Sequence, residues 1–306
     1  MDPGFGTVLR SLRLTSALLS RSHFRGRWGV IGGSSTGKMI FHGVTAGACY
    51  ASREGDSEVV PLREGDVVIF TRGCEHRMTS APDAAVLRVT DVPMRRDGST
   101  PLFEMGRTGE ETRLVCGTFR LDHPAHASVV DLLPKVIVGR ARTEARRRWS
   151  MATMALIAEG LAGSEPTSEI TSLADSLFVS ALVEAAESPS QPSGLLAAAR
   201  DERIGRALAL VHADPSAEWT AAKLAERVGM SRTRFFDLFA KLVGEPPARY
   251  VARWRAMVAA DLLRKRALST TEVAEHVGYC DEDALAKAFK RYMGMSPTEY
   301  RRMPSS

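Results

Sequence analysis

Apolar positions change their spacing along the 306-residue chain. From about residue 25 to 125 they come in short runs: KMIFHGVTA, DVVIFT, AAVLRVTD and TRLVCGTFRLD. These are rich in β-branched and aromatic residues and bounded by Gly, Asp and Pro, which predicts strands, with Glu64-Gly65-Asp66 and Arg72-Gly73 as turns. Strands at such regular spacing predict an all-β sandwich or barrel. Beyond Pro134 the spacing becomes helical. RRRWSMATMALIAEGLAG and EITSLADSLFVSALVEAAE are Ala/Leu-rich, and the short SEPTS connection predicts an antiparallel hairpin. SPSQPSG (188–194) breaks the pattern, because Pro189 and Pro192 among serines cannot continue a helix and offer nothing to pack. Everything after it reads as helices separated by Gly or Pro.

Composition narrows the class. At 44% hydrophobic and 25% charged residues the chain is globular, and its length allows two cores. Four cysteines without paired spacing (Cys49, Cys74, Cys116, Cys280) point to a reducing compartment. Arg10, Arg13 and Arg21 interrupt the apolar residues of the start, and no run is long enough to span a bilayer. A cytoplasmic protein without membrane partners is expected. Charge is unevenly placed: Ala197–Ser306 holds 19 Lys+Arg against 14 Asp+Glu, whereas the first 196 residues hold 22 of each sign. The whole excess of +5 therefore lies in the last third, as a polyanion-binding segment would have it.

That last third contains one unit twice. Leu224, Ala225, Val228 and Gly229 match Val273, Ala274, Val277 and Gly278 at an offset of 49. Ser231, Phe239, Gly244, Pro247 and Tyr250 match Asp281, Phe289, Gly294, Pro297 and Tyr300 at an offset of 50. Each copy reads as helix-turn-helix. Thr220 and Ser269 are N-caps, the latter in capping-box spacing with Glu272. Small Ala225 and Ala274 admit a second helix, and Gly229 and Gly278 suit the left-handed geometry that ends a helix. Ser231 and Asp281 cap the second helices. Phe235, Leu238, Phe239 and Leu242, or Leu285, Ala288, Phe289 and Tyr292, anchor them. ARYVARWRAMVAADLLRK between the copies predicts a long amphipathic helix that fixes their separation.

LAERVGMSRTRFFDLFAKLVGEPPARYVARWR and VAEHVGYCDEDALAKAFKRYMGMSPTEYR resemble the paired helix-turn-helix domain of AraC/XylS-type transcription regulators, over about residues 200–303. The resemblance implies binding of double-stranded promoter DNA, engagement of RNA polymerase where the outcome is activation rather than repression, and no enzymatic activity. By position it assigns Arg232, Thr233, Phe236 and Asp237, and Glu282, Asp283, Ala286 and Lys287, to the exposed recognition faces. Arg232, Arg234, Lys241, Lys287, Lys290 and Arg291 are candidates for phosphate or base contacts. Asp237 and the acidic start Asp281-Glu282-Asp283 depart from the family pattern. Carboxylates repel phosphate yet accept from cytosine N4, and Asp281 also suits a cap.

GDVVIFTRGCEHRMTS has the Gly65, Gly73 and His76 spacing of the second cupin motif, with Thr71 where the family has Pro. The region resembles the cupin-like sensor fused to many such regulators. The fold class implied is α+β: a cupin-like effector-sensing barrel (10–140), a helical hairpin for coupling or dimerisation (145–187), a linker (188–196) and a DNA-binding domain with two helix-turn-helix units (197–306). An unidentified small effector is the implied partner, together with a homodimer as one oligomeric option. His42, Cys74, His76 and Cys116 are the effector-binding candidates. His42 and His76 are too few for a closed metal site unless Cys74, Glu75 or Cys116 joins them, so no cofactor is assigned and a metal ion stays open. With such a metal, the alternative is a cupin oxygenase or isomerase with a helical appendage. Cys74, near Arg72, His76 and Arg77, also suits a thiol sensor. GGSSTGKM (32–39) falls short of a phosphate loop, because Met39 replaces the required hydroxyl and a strand pattern follows.

Overall fold

A computed structural model describes residues 14–34, 38–98, 100–121, 130, 133–162, 167–188, 194–265 and 268–303. Most of SPSQPSG and SEPTS lies outside these residues. Two compact units emerge, one formed by 14–121 with 135–188, the other by the helices beyond Gly194.

Among the described residues the first unit contains twelve strands: β1 (Leu14–Arg25), β2 (Gly29–Gly32), β3 (Lys38–Ala46), β4 (Ala48–Arg53), β5 (Val60–Arg63), β6 (Val67–Phe70), β7 (His76–Thr79), β8 (Leu87–Arg88), β9 (Met94–Asp97), β10 (Thr100–Met105), β11 (Glu111–Leu121) and β12 (Val136–Gly139). They form a seven-stranded sheet, β12-β6-β3-β11-β1-β10-β9, and a five-stranded sheet, β5-β4-β7-β2-β8. Within the larger sheet, β11 runs antiparallel to both β1 and β3, pairing Cys116 with Ser20 on one side and His42 on the other. Alternation then sets the two faces. Ile40, Val44, Phe24 and Leu114 turn into the core shared with Val30, Met78 and Phe70. Met39, Phe41 and Phe119 are buried in the same sheet at the alternate positions. On that side Phe41 stacks on Phe119 at 4.7 Å, and Phe119 meets Phe178 edge-on at 4.8 Å.

Phe178 belongs to the predicted hairpin, α1 (Glu144–Gly160) and α2 (Ser168–Glu187). α2 packs on β12 and β1, and α1 on β3 and β11. Thr143 caps α1 by accepting from the Arg146 N–H at 3.3 Å, and Ser150 Oγ donates to the Gly65 carbonyl at 3.0 Å.

AAVLRVTD departs from its predicted strand. Only Leu87–Arg88 pairs, parallel to β2, and a 3-10 turn follows at Val89–Asp91. Val89 and Val92 both pack against the core. Their three-residue spacing matches the eclipsed side chains of a 3-10 turn and conflicts with the two-residue period of a strand.

The second unit comprises α3 (Leu195–Arg200), α4 (Glu202–Ala213), α5 (Ala221–Arg227), α6 (Arg232–Val243), α7 (Pro247–Lys265), α8 (Thr270–His276), α9 (Glu282–Met293) and α10 (Pro297–Arg302). Helices α5–α6 and α8–α9 are the two copies of the repeat, and α7 is the long connector, in contact with α6, α8 and α9. Fully buried anchors recur at four-residue spacing: Phe235, Phe239 and Val243 in α6, Leu285, Phe289 and Met293 in α9. The predicted anchors Leu238, Leu242, Ala288 and Tyr292 flank this stripe and are only half-buried. Even the ring contacts repeat, Phe239–Tyr250 at 5.7 Å and Phe289–Tyr300 at 5.3 Å, both edge-on.

Candidate functional site

The turn of each repeat is built by its glycine. Gly229 and Gly278 have φ of 66° and 82°, and a Cβ at Gly278 would fall 2.4 Å from the Ser216 carbonyl oxygen. Arg255 of α7 reinforces that second turn. It donates to the carbonyls of Gly278 (3.0 Å), Pro215 (2.9 Å) and Ala217 (2.9 Å), which ties the second turn to the segment leading into α5. At the end of the first repeat Arg253 and Glu245 form a buried ion pair, with Arg249 at 3.4 Å from the same carboxylate.

Held this way, α6 and α9 present their early faces outward. Arg232, Thr233, Arg234, Phe236, Asp237 and Lys241 are exposed on α6, and Glu282, Asp283, Lys287, Lys290 and Arg291 on α9. Ala286 is half-buried. Phe236 is 42% exposed, unusual for a large aromatic side chain on a helix whose inner face already holds Phe235 and Phe239. The two N-termini differ. Asp281 accepts from the Ala284 N–H at 2.7 Å, which holds its carboxyl below the ordinary aspartate range. Ser231 occupies the N-cap position of α6 with no side-chain hydrogen bond, so the predicted cap is backbone geometry alone. Thr220 and Ser269 cap α5 and α8 as predicted, Ser269 in a full capping box with Glu272.

Inside the barrel, β3, β7 and β11 bring His42, His76 and Cys116 together. His76 Nδ1 lies 3.0 Å from the Cys74 carbonyl, His42 Nε2 lies 2.8 Å from His76 Nε2, and Cys116 Sγ lies 2.9 Å from His42 Nδ1. A carbonyl only accepts, so His76 carries its proton on Nδ1 and accepts at Nε2. His42 must then donate from Nε2, which leaves its Nδ1 to accept from the Cys116 thiol. The chain is satisfied with every group uncharged. Burial supports this: desolvation lowers both imidazole pKa values, His42 well below its ordinary value, and pushes the Cys116 thiol up to about 12. Gly32 makes room for it, since a Cβ there would sit 2.4 Å from the His76 ring.

These donors do not suit a metal ion. The imidazoles face each other through Nε2 while the thiol sits at the far nitrogen of His42, so the three do not converge on one point. Among the described residues no group of three or more His, Cys, Asp or Glu is placed to hold one. Cys74 supplies its carbonyl, and its half-buried side chain packs against the core. Cys49 is buried, its thiol also pushed up to about 12 by desolvation.

His42, His76 and Cys116 line a cavity of about 340 Å³. Hydrophobicity patterns point to none of Ser20, Ser22 and Thr118, which line it too. Their signal is two-residue alternation along β1 and β11, masked in β1 by its serines and arginines.

A cupin family profile matches residues 5–186, and a helix-turn-helix domain profile matches 224–303. An AraC-like transcription regulator of Streptomyces antibioticus is 32% identical, with 99% of each chain aligned. The chain belongs to the AraC-type transcription regulators. A second AraC-like regulator, from Streptomyces lividans, is 31% identical over 100% of this chain and 99% of that one. Among solved structures, the DNA-binding domain of the global transcriptional factor AdpA, in complex with a target DNA, is 31% identical, covers 32% of this chain and 87% of that one, and has a TM-score of 0.31. As an AraC-type regulator the chain is a DNA-binding protein with a cupin-like domain, not an enzyme. Membership sets aside the oxygenase or isomerase alternative. No helix among the described residues is long and apolar enough to cross a membrane.

Proposed function

We propose that this AraC-type regulator lays α6 and α9 into neighbouring stretches of the major groove of a promoter, and that a small effector bound in the barrel biases this engagement. The supporting observation is the pair of outward-facing helices built on one scaffold and joined by α7. Arg232 and Arg234, with Lys241, Lys287, Lys290 and Arg291, contact phosphates or guanine edges. Phe236 meets a thymine methyl group, and Glu282 or Asp283 accepts from cytosine N4. Asp281 is engaged as a cap and does not read bases.

Of the three kinds of signal open to the barrel, a small molecule fits best. The donor set does not converge for a metal, and burial keeps the thiols of Cys49 and Cys116, each pushed up to about 12, in the protonated and less reactive form at neutral pH. The hairpin α1–α2 transmits occupancy of the barrel or joins two copies, and the protein acts in the cytoplasm, with RNA polymerase as its further partner where it activates. Binding to a selected promoter site is measured across a salt series. Each neutralised phosphate steepens the log–log slope by about 0.9, and charge reversal at Lys287 and Lys290 makes it shallower. A flat plot contradicts the assignment.

A further inference from the structure

The cavity has two unlike walls. Along β1 and β11, inward positions carry Ser20, Ser22, Cys116 and Thr118. Facing them from the smaller sheet and the turn after it, Val30, Met78 and Val89 form an apolar surface, while Phe24 and Phe103 adjoin Ser22 on the larger sheet. Among the described residues no carboxylate lines the space, and the one charged side chain that does, Lys38, is half-buried at the start of β3. The His42–His76–Cys116 chain spends its hydrogen bonds internally, so it presents no charge to a ligand.

The hydroxyls are another matter. Thr118 Oγ1 is buried with no hydrogen-bond partner. Ser22 Oγ has only a weak contact, 4.0 Å from Cys116 Sγ. Buried polar atoms are ordinarily satisfied, and an exception needs a physical reason. Rotation about χ1 exchanges the hydroxyl and methyl of a threonine between staggered positions. For Thr118 that exchange gives up no hydrogen bond.

We propose that the cavity takes an uncharged, mainly apolar molecule with one hydroxyl or carbonyl group, which hydrogen-bonds to Thr118 and Ser22 while its body lies against Val30, Met78 and Val89. This deepens the sensor reading and rests on it. The volume, about 340 Å³, is at the lower end of ligand pockets, so the molecule is about the size of a two-ring aromatic. Beside Ser22 a carboxylate would lose its hydration among apolar groups and neutral hydroxyls, with Lys38, half-buried at the start of β3, the only cation on the described lining to offset it.

Three probes of one shape test the class: 2-naphthol, naphthalene and 2-naphthoate, titrated calorimetrically into the full-length chain. 2-Naphthol is expected to bind most tightly and 2-naphthoate most weakly. Thr118→Val and Ser22→Ala should each reduce the preference for 2-naphthol over naphthalene by about fivefold, the worth of one hydrogen bond, without weakening naphthalene. Val89→Phe, or Met78→Trp should Val89→Phe fail to fold, should abolish binding of all three by filling the space. Tightest binding of 2-naphthoate, an unchanged preference in both hydroxyl variants, binding that survives the filled cavity, or no binding by any probe overturns the proposal. Promoter binding by the same preparations keeps the outcomes apart. If the probes bind as expected but Val89→Phe leaves the regulator's response in cells unaltered, the sensor reading fails and the cavity assignment stands.

Discussion

The two helix-turn-helix units share a scaffold and differ in almost everything placed on it. Their buried anchors, turn glycines and edge-on ring pairs coincide residue for residue. At the N-termini they part. The second unit places carboxylates at Glu272, Asp281 and Glu299, each accepting from backbone N–H groups or closing a capping box. Lys223, Ser231 and Arg249 occupy the matching positions of the first. One helix therefore meets its ligand with Arg232, Arg234 and Phe236, and the other with Glu282 and Asp283 ahead of Lys287, Lys290 and Arg291. Duplication preserved what packs, while the exposed surface diverged.

If the shared scaffold is as symmetrical as its contacts, Phe239→Ala and Phe289→Ala should cost alike. Each removes a fully buried ring, worth about 3–5 kcal/mol, which urea denaturation of the full chain reads directly. A large loss in one variant and a trivial one in the other would break the equivalence.

Matched substitutions on the outer faces should instead diverge. Arg232→Ala is expected to lower affinity for a selected site by about 1–3 kcal/mol, the range of one good base contact. At the equivalent position, Glu282→Ala should tighten binding to unselected duplex a few-fold, because a charge repelling phosphate is gone. Fluorescence anisotropy with one selected and one scrambled duplex separates the effects. Equal losses from both would show that the units read DNA in the same way.

A smaller effect sharpens the role of Phe236. Replacing its thymine by deoxyuridine deletes one methyl group, worth about 0.8 kcal/mol when buried. Wild type should lose about fourfold at one position of the site, and Phe236→Ala should lose nothing further there. Sensitivity that persists in the variant would assign the exposed ring to a different partner.

Acid provides the subtlest contrast. Hydrogen bonds from backbone groups, and from the side chains of Ser269, Cys280 and Ser296 respectively, hold Glu272, Asp281 and Glu299 below their ordinary pKa values. Carboxyls depressed in this way stabilise the fold fully above their unfolded values, about pH 4, and the contribution fades as pH falls through the lower folded values. Amide exchange at the N-termini of α8, α9 and α10 should therefore rise below pH 4 relative to those of α5, α6 and α7. Equal loss of protection in both units would contradict the capping assignment.

Legibility followed the same division. The helical unit was readable because its cues are local: Gly229 and Gly278 mark the turns, Ser269 and Glu272 a capping box, and the anchors keep helical period. Helical period gives the anchor stripe only approximately, since period alone does not say whether Leu238 or Val243 lies deepest. Strand β1 was not legible. Ser20, Arg21 and Ser22 are all buried there, the serines toward the cavity and Arg21 paired with Asp97. An apolarity criterion passes over such a strand. His42 and His76 were found through motif spacing, but their meeting with Cys116 depends on the long-range register of β3 with β11.

Hydroxyl-radical footprinting of the full-length chain on a selected site tests the joint action of the two units most directly. Two protected windows should appear on one face of the duplex, their centres about 10 base pairs apart, one for each recognition helix. Arg232→Ala should weaken one window before the other. A single window, or two on opposite faces, would contradict an arrangement in which α6 and α9 read one duplex together.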